Sequence, residues 1–149
     1  MQIEKLLLSL IVLICFVFVS QAQRAYTIGK KFGGGIVFVV SPDGRHGLIA
    51  ETQDQGTCNW NEAFSLIANP ANHSAPGKTF TDWRLPNKEE LSKLFKQRKI
   101  VGGFTNYYYW SSTENSNDKG HIWNKTLTSG AEMSNAKCAL KYVRAVRSF

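Results

Sequence analysis

Cysteine, histidine and serine are the natural places to look for reactivity, and their spacing withholds support from it. Beyond an apolar leader that contains Cys15, the chain has only Cys58 and Cys138. Neither belongs to a CxxC pair, and His46, His73 and His121 are far apart in sequence, so a structural zinc site has no ligand pattern. Ser111 and Ser112 lie outside any Gly-x-Ser-x-Gly turn, and no His or Asp is placed by motif to activate them. Gly33-Gly34-Gly35 precedes a strand and is not followed by Gly-Lys-Ser/Thr, which argues against a phosphate loop. No catalytic residue, metal or cofactor is assigned. What remains is non-covalent recognition. Tyr107, Tyr108 and Trp123 offer aromatic faces that stack on sugar rings, while Asn115, Asn117, Asp118, Asn124 and Asn135 supply donors and acceptors nearby. These eight are the candidate ligand-binding residues. Lys93, Lys96 and Lys99 form a candidate basic rim, with a solvated helix face as the alternative for the first two.

Residues 6–19 are apolar except for Ser9, and Ser20-Gln21-Ala22 puts small residues where a signal peptidase cuts. The expectation is a removable export signal over 1–22 and one domain over 23–149, a length that suits one core better than two. The apolar run falls short of the roughly 20 residues that span a bilayer, so no membrane span is expected after cleavage. Lys5 and Glu4 cancel, so the net charge of +7 stays with the exported part. That balance favours anionic partners. For a chain bound for secretion, the periplasm or the cell surface, an acidic polysaccharide is more available than nucleic acid, which is not expected as a partner. Two cysteines in an oxidising compartment favour a Cys58–Cys138 bridge, which over a loop of about 80 residues contributes about 4 kcal/mol. Two buried free thiols are the alternative.

The elements that must position these residues can be read from caps and periodicity. Residues 36–50 read as a hairpin around Ser41-Pro42-Asp43-Gly44. Asn59 and Glu62 make a capping box for a helix over 60–68, and 69–81 reads as a polar surface loop. Pro86, Asn87 and Glu90 start a second helix over 88–97, ended by Gly102-Gly103. Strands are expected at 107–111, 122–127 and 141–146. Trp83, Arg84, Pro86, Trp110 and Arg144 are read as framework: aromatic core residues, a helix start, and arginines that satisfy buried acceptors. Together these predict an α+β fold, two short helices on a mainly antiparallel sheet, with the N- and C-terminal strands adjacent.

Three ordered phrases then carry a resemblance: Trp83-Arg84-Leu85-Pro86 with its helix, Tyr109-Trp110-Ser111-Ser112-Thr113-Glu114, and Tyr142-Val143-Arg144-Ala145-Val146-Arg147. Together they resemble the Lcl C-terminal domain family, named for the C-terminal domain of a collagen-like adhesin. The resemblance implies a C-type-lectin-like fold, supports the Cys58–Cys138 bridge, and suggests adhesion to an extracellular glycan or surface protein. Some relatives are variable targets of diversity-generating retroelements, diversified between the second and third phrases. Trp123-Asn124 echoes the calcium-binding loop of true C-type lectins, but Lys125 stands where an acid is needed. Formylglycine-generating enzymes share the broad fold, yet their chemistry needs paired reactive cysteines. A structural component of the cell envelope is the competing expectation.

Overall fold

A computed structural model describes residues 25–149, so the expected signal at 1–22 lies outside the described residues. Both expected helices form where their caps place them. Helix α1 spans Trp60–Ala68 and α2 spans Lys88–Lys96. In α1, Asn59 Oδ1 accepts the Glu62 N–H at 3.0 Å and Glu62 returns the bond to the Asn59 N–H. In α2, Asn87 and Glu90 exchange the same pair at 2.8 Å each. Helical spacing turns Ala63 and Ile67 of α1, and Leu91 and Leu94 of α2, into the interior. A single-turn helix, α3, follows over Arg98–Val101. Gly102 and Gly103 end it with φ of +69° and +68°, a conformation other residues rarely adopt.

The β structure is two sheets, where one was expected. Strands β1 (Lys31–Phe32), β2 (Gly35–Val40), β3 (Gly47–Ala50) and β9 (Val146–Ser148) form a four-stranded sheet in the order β1-β2-β3-β9. Strands β4 (Gly56–Cys58), β8 (Lys141–Val143), β5 (Tyr108–Asn115), β6 (Asp118–Thr126) and β7 (Glu132–Ala136) form a five-stranded sheet in that order. Among the described strands only the β5–β8 pairing is parallel. The stretch read as one strand over 141–146 breaks at Arg144-Ala145, which carries the chain from one sheet to the other. Residues 51–55 make the same passage alongside. The Glu51 N–H donates to the Ala145 carbonyl and the Gln55 N–H to the Val143 carbonyl. The chain ends do meet as expected, with Ala50 opposite Val146.

Alternation along β5 divides the interior. Trp110 packs with Val37, Ile49, Ala63, Trp83 and Leu85. Its neighbour Tyr109 faces the other way, with Phe38, Leu91, Leu94 and Leu127.

The expected disulfide is not formed: Cys58 and Cys138 are free thiols. Their backbones run close, since Cys58 lies opposite Lys141 and the Trp60 N–H donates to the Lys137 carbonyl. Their side chains occupy different environments. Cys58 is buried in the Trp110 cluster, and Cys138 is exposed on the crossover from β7 to β8. Burial, then the nearby Glu62 charge, pushes the Cys58 thiol up to about 11.

Candidate functional site

Each of the framework candidates has a named partner. Trp83 Nε1–H donates to the Gly77 carbonyl and Trp110 Nε1–H to the Cys58 carbonyl, at 2.9 and 3.0 Å. The Pro86 carbonyl accepts from the Ser112 N–H, tying the α2 start to β5. Arg84 grips Glu90 with two bonds of 2.7 and 2.8 Å, although its side chain is half-exposed. Burial would raise the Glu90 pKa, but the Arg84 bonds and the Asn87 N–H outweigh it and hold the carboxyl below its ordinary value.

Arg144 is fully buried and does more. Its Nε–H donates to Asp54 Oδ1 at 2.8 Å, and its Nη groups donate to the carbonyls of Glu51, Gly102 and Gly103. The guanidinium also lies 4.2 Å from the Phe104 ring centre. From Phe104 a relay of rings runs outward: Tyr109, Tyr142, Tyr107 and Tyr108, with successive centroids 5.7, 5.7, 6.0 and 6.4 Å apart. Tyr109 anchors it, donating to Asp54 at 2.9 Å, and burial pushes its phenol up to about 12. Tyr107, at 51 % exposure, is the outer end.

Over that outer end sits Lys141, a residue the sequence did not single out. Its Nζ is 5.2 Å from the Tyr108 ring centre and 5.8 Å from that of Tyr107. Among the described residues it has no acidic partner, and partial burial lowers its pKa. Two tyrosine faces and an unpaired ammonium at one sheet end can stack a ring and hold an anion on it.

The remaining candidates do not join this cluster. Strand β6 is nine residues long, so the β5–β6 turn with Asn115, Asn117 and Asp118 lies roughly 25 Å from Tyr108. No small ligand touches both. The turn also spends the side chains of Asn115 and Asp118 internally, while that of Asn117 has no partner among the described residues. Asn115 accepts from the Asn117 N–H and donates to Ser134, while Asp118 accepts from the Gly120 N–H. Asp118 also faces His121 Nδ1 at 2.7 Å, a charge contact without good hydrogen-bond alignment. Contact with His121 holds the Asp118 carboxyl below its ordinary value.

Trp123 is capped by Lys88, whose Nζ is 3.4 Å from the ring centre and 3.2 Å from Glu132. Asn124 is buried, opposite Trp110 and Met133 in the sheet. Its Oδ1 and that of Asn135, diagonal to it on the same face, have no protein partner among the described residues. In the basic rim, Lys93 and Lys96 are exposed on α2. Lys99, on α3, instead lines a separate cavity with Arg98.

One buried polar cluster was invisible in the sequence. Glu51, fully buried, accepts from Ser74 Oγ–H at 2.7 Å and meets His73 Nδ1 at 3.0 Å. Ser, His and Glu invite comparison with a hydrolytic triad, but the order is wrong. Ser74 bonds the carboxylate rather than the imidazole, and His73 Nε2 faces the Ile67 carbonyl at 2.7 Å. With both ring nitrogens occupied and the ring stacked on Trp83, this is a structural brace.

The three sequence phrases therefore converge on one geometry: a capped corner at Trp83–Glu90, the β5 strand it supports, and the Arg144 crossing. A family model for the Lcl C-terminal domain matches residues 40–147. The chain belongs to that family. The match takes in both helices, the five-stranded sheet and the Arg144 crossing, so the exposed tyrosine end is part of the Lcl C-terminal domain itself. No curated protein matches the chain. No helix among the described residues is long and apolar enough to cross a membrane.

Proposed function

We propose that this Lcl C-terminal domain is an exported, non-enzymatic recognition domain of C-type-lectin-like fold that binds an extracellular glycan. The observation that carries the reading is the outer end of the aromatic relay. Tyr107 and Tyr108 lie beside Lys141, whose ammonium has no carboxylate partner among the described residues. A pyranose stacks its C–H face on such a ring, and a carboxylate or sulfate on it meets the ammonium. The net charge of +7 helps draw an acidic polymer to the surface. A surface protein is the second reading, favoured by exposed apolar side chains at Leu140, Phe64 and Met133. A domain that packed against such a partner would serve as an assembly component of the cell envelope.

A glycan array read at two salt concentrations separates these. Binding to acidic glycans that weakens with salt supports the first reading. Silence across the array, with envelope proteins co-purifying instead, overturns it in favour of the second.

A further inference from the structure

The tyrosine end does not stop at Tyr107. On the side of the sheet that packs against α2, the surface continues into an open, shallow depression lined by Arg98, Lys99, Phe104 and Thr128. Two ties make the surfaces continuous. Phe104 lines the depression and also begins the ring relay, 5.7 Å from Tyr109. Tyr107 follows three residues later, at most about 11 Å of extended backbone away. Thr128 supplies the second tie. Its Oγ–H donates to Asn106 Oδ1 at 2.6 Å, which fastens the β6–β7 turn to the residue just before Tyr107. Both side chains are exposed, and the Asn106 amide N–H groups have no protein acceptor among the described residues.

Charge marks the two extremes of this surface. Lys141 stands at one and Arg98 with Lys99 at the other, and none of the three has an acidic partner among the described residues. Arg98 is held in place, stacked 4.1 Å from the Phe95 ring centre and donating to the Phe95 carbonyl at 2.9 Å. The segments that build the middle, residues 102–108 and 127–130, contain no Asp or Glu. Open ground of this kind does not enclose a small ligand. Cations at both ends, with a ring and neutral hydrogen-bonding groups between them, suit a chain that lies across the surface.

We propose that the acidic glycan is bound as an extended chain over both places, with one anionic group at Lys141 and a second at Arg98 and Lys99. A sugar ring between them lies on Tyr107, and hydroxyls meet Asn106 and Thr128. This inference rests on the glycan reading of the tyrosine end and adds a second subsite to it. A ligand too short to reach Arg98 and Lys99 gains nothing from them, whereas for a longer one the second contact becomes intramolecular.

The test is calorimetric titration of the purified chain with a dimer, a tetramer and an octamer of galacturonic acid, and with the matching ladder of chondroitin sulfate. In whichever ladder binds, the octamer should bind roughly tenfold or more tighter than the dimer, and should lose more affinity on adding salt. Arg98→Ala combined with Lys99→Ala should remove most of that gain while changing dimer affinity by less than about twofold. Lys99→Glu alone, at an exposed position, should weaken the octamer by roughly threefold or more without moving the thermal midpoint. Equal affinity at every length, or a length gain that survives both variants, would overturn the second subsite and leave the tyrosine end standing. Silence from both ladders would overturn the second subsite together with the glycan reading.

Discussion

The two ends of the five-stranded sheet look alike in composition and differ in what they leave unspent. At the β5–β6 turn, Asn115 spends its side chain on Ser134 and the Asn117 N–H, and Asp118 spends its own on the Gly120 N–H and the charge contact with His121. Of the three, only Asn117 keeps a side chain without a partner among the described residues. At the opposite end, Tyr107, Tyr108 and Lys141 have fewer polar atoms, but the ammonium has no carboxylate partner among the described residues and the outer ring is exposed. A ligand competes with whatever already satisfies a group. Density of Asn and Asp therefore says less about recognition than the presence of a cation or ring that the fold has not used.

The largest effect should come from beneath the tyrosine end. Arg144→Ala strands Asp54 and three backbone carbonyls, and a loss of about 3–5 kcal/mol in urea unfolding is expected, as for a broken buried pair. A loss below about 1 kcal/mol would show that the relay does not rest on this crossing. Next, Tyr107→Ala and Lys141→Ala should each weaken glycan binding by roughly tenfold, while Asn117→Ala changes it by less than about twofold. The reverse ranking, measured on the same immobilised glycan, would transfer the site to the turn. The smallest effect concerns the crossover that joins the two ends. Cys138 is exposed and free, so Cys138→Ser should shift stability by no more than about 0.5 kcal/mol. Without reductant, alkylation at mildly alkaline pH should label Cys138 quickly and Cys58 only after unfolding, as read by mass spectrometry. Loss of about 2–5 kcal/mol in the serine variant would instead reveal a bridge.

What the sequence made legible was local. Asn59 with Glu62 and Asn87 with Glu90 fix the helix starts through bonds made three residues apart, so residue spacing is enough to find them. Trp83, Trp110 and Arg144 were readable as framework because each stands in an ordered phrase. The rest depends on meetings between distant segments. Lys141 reaches Tyr107 and Tyr108 only because β8 lies beside β5, a pairing that no periodicity encodes. Asn124 and Trp123 looked available in a polar stretch, but one is buried opposite Trp110 and the other lies under Lys88. The break at Arg144-Ala145 was hidden for the same reason. Residues 141–146 alternate like one strand, and only the partners Glu51, Asp54 and Gln55 show that the chain changes sheets there.

The order of pairing has a consequence for how the chain acquires its shape. Among the described strands β4 pairs with β8 alone, and β9 pairs with β3 and, through Val146, bridges to Arg84, so both sheets await residues 141–148, the last of these strands in chain order. Such long-range closures carry a large loop entropy before any contact rewards them, which slows folding. Without residues 141–148 the β3 and β5 edges are uncovered and β4 has no strand to pair with. The domain therefore reaches its native form only once residues 141–148 have joined both sheets.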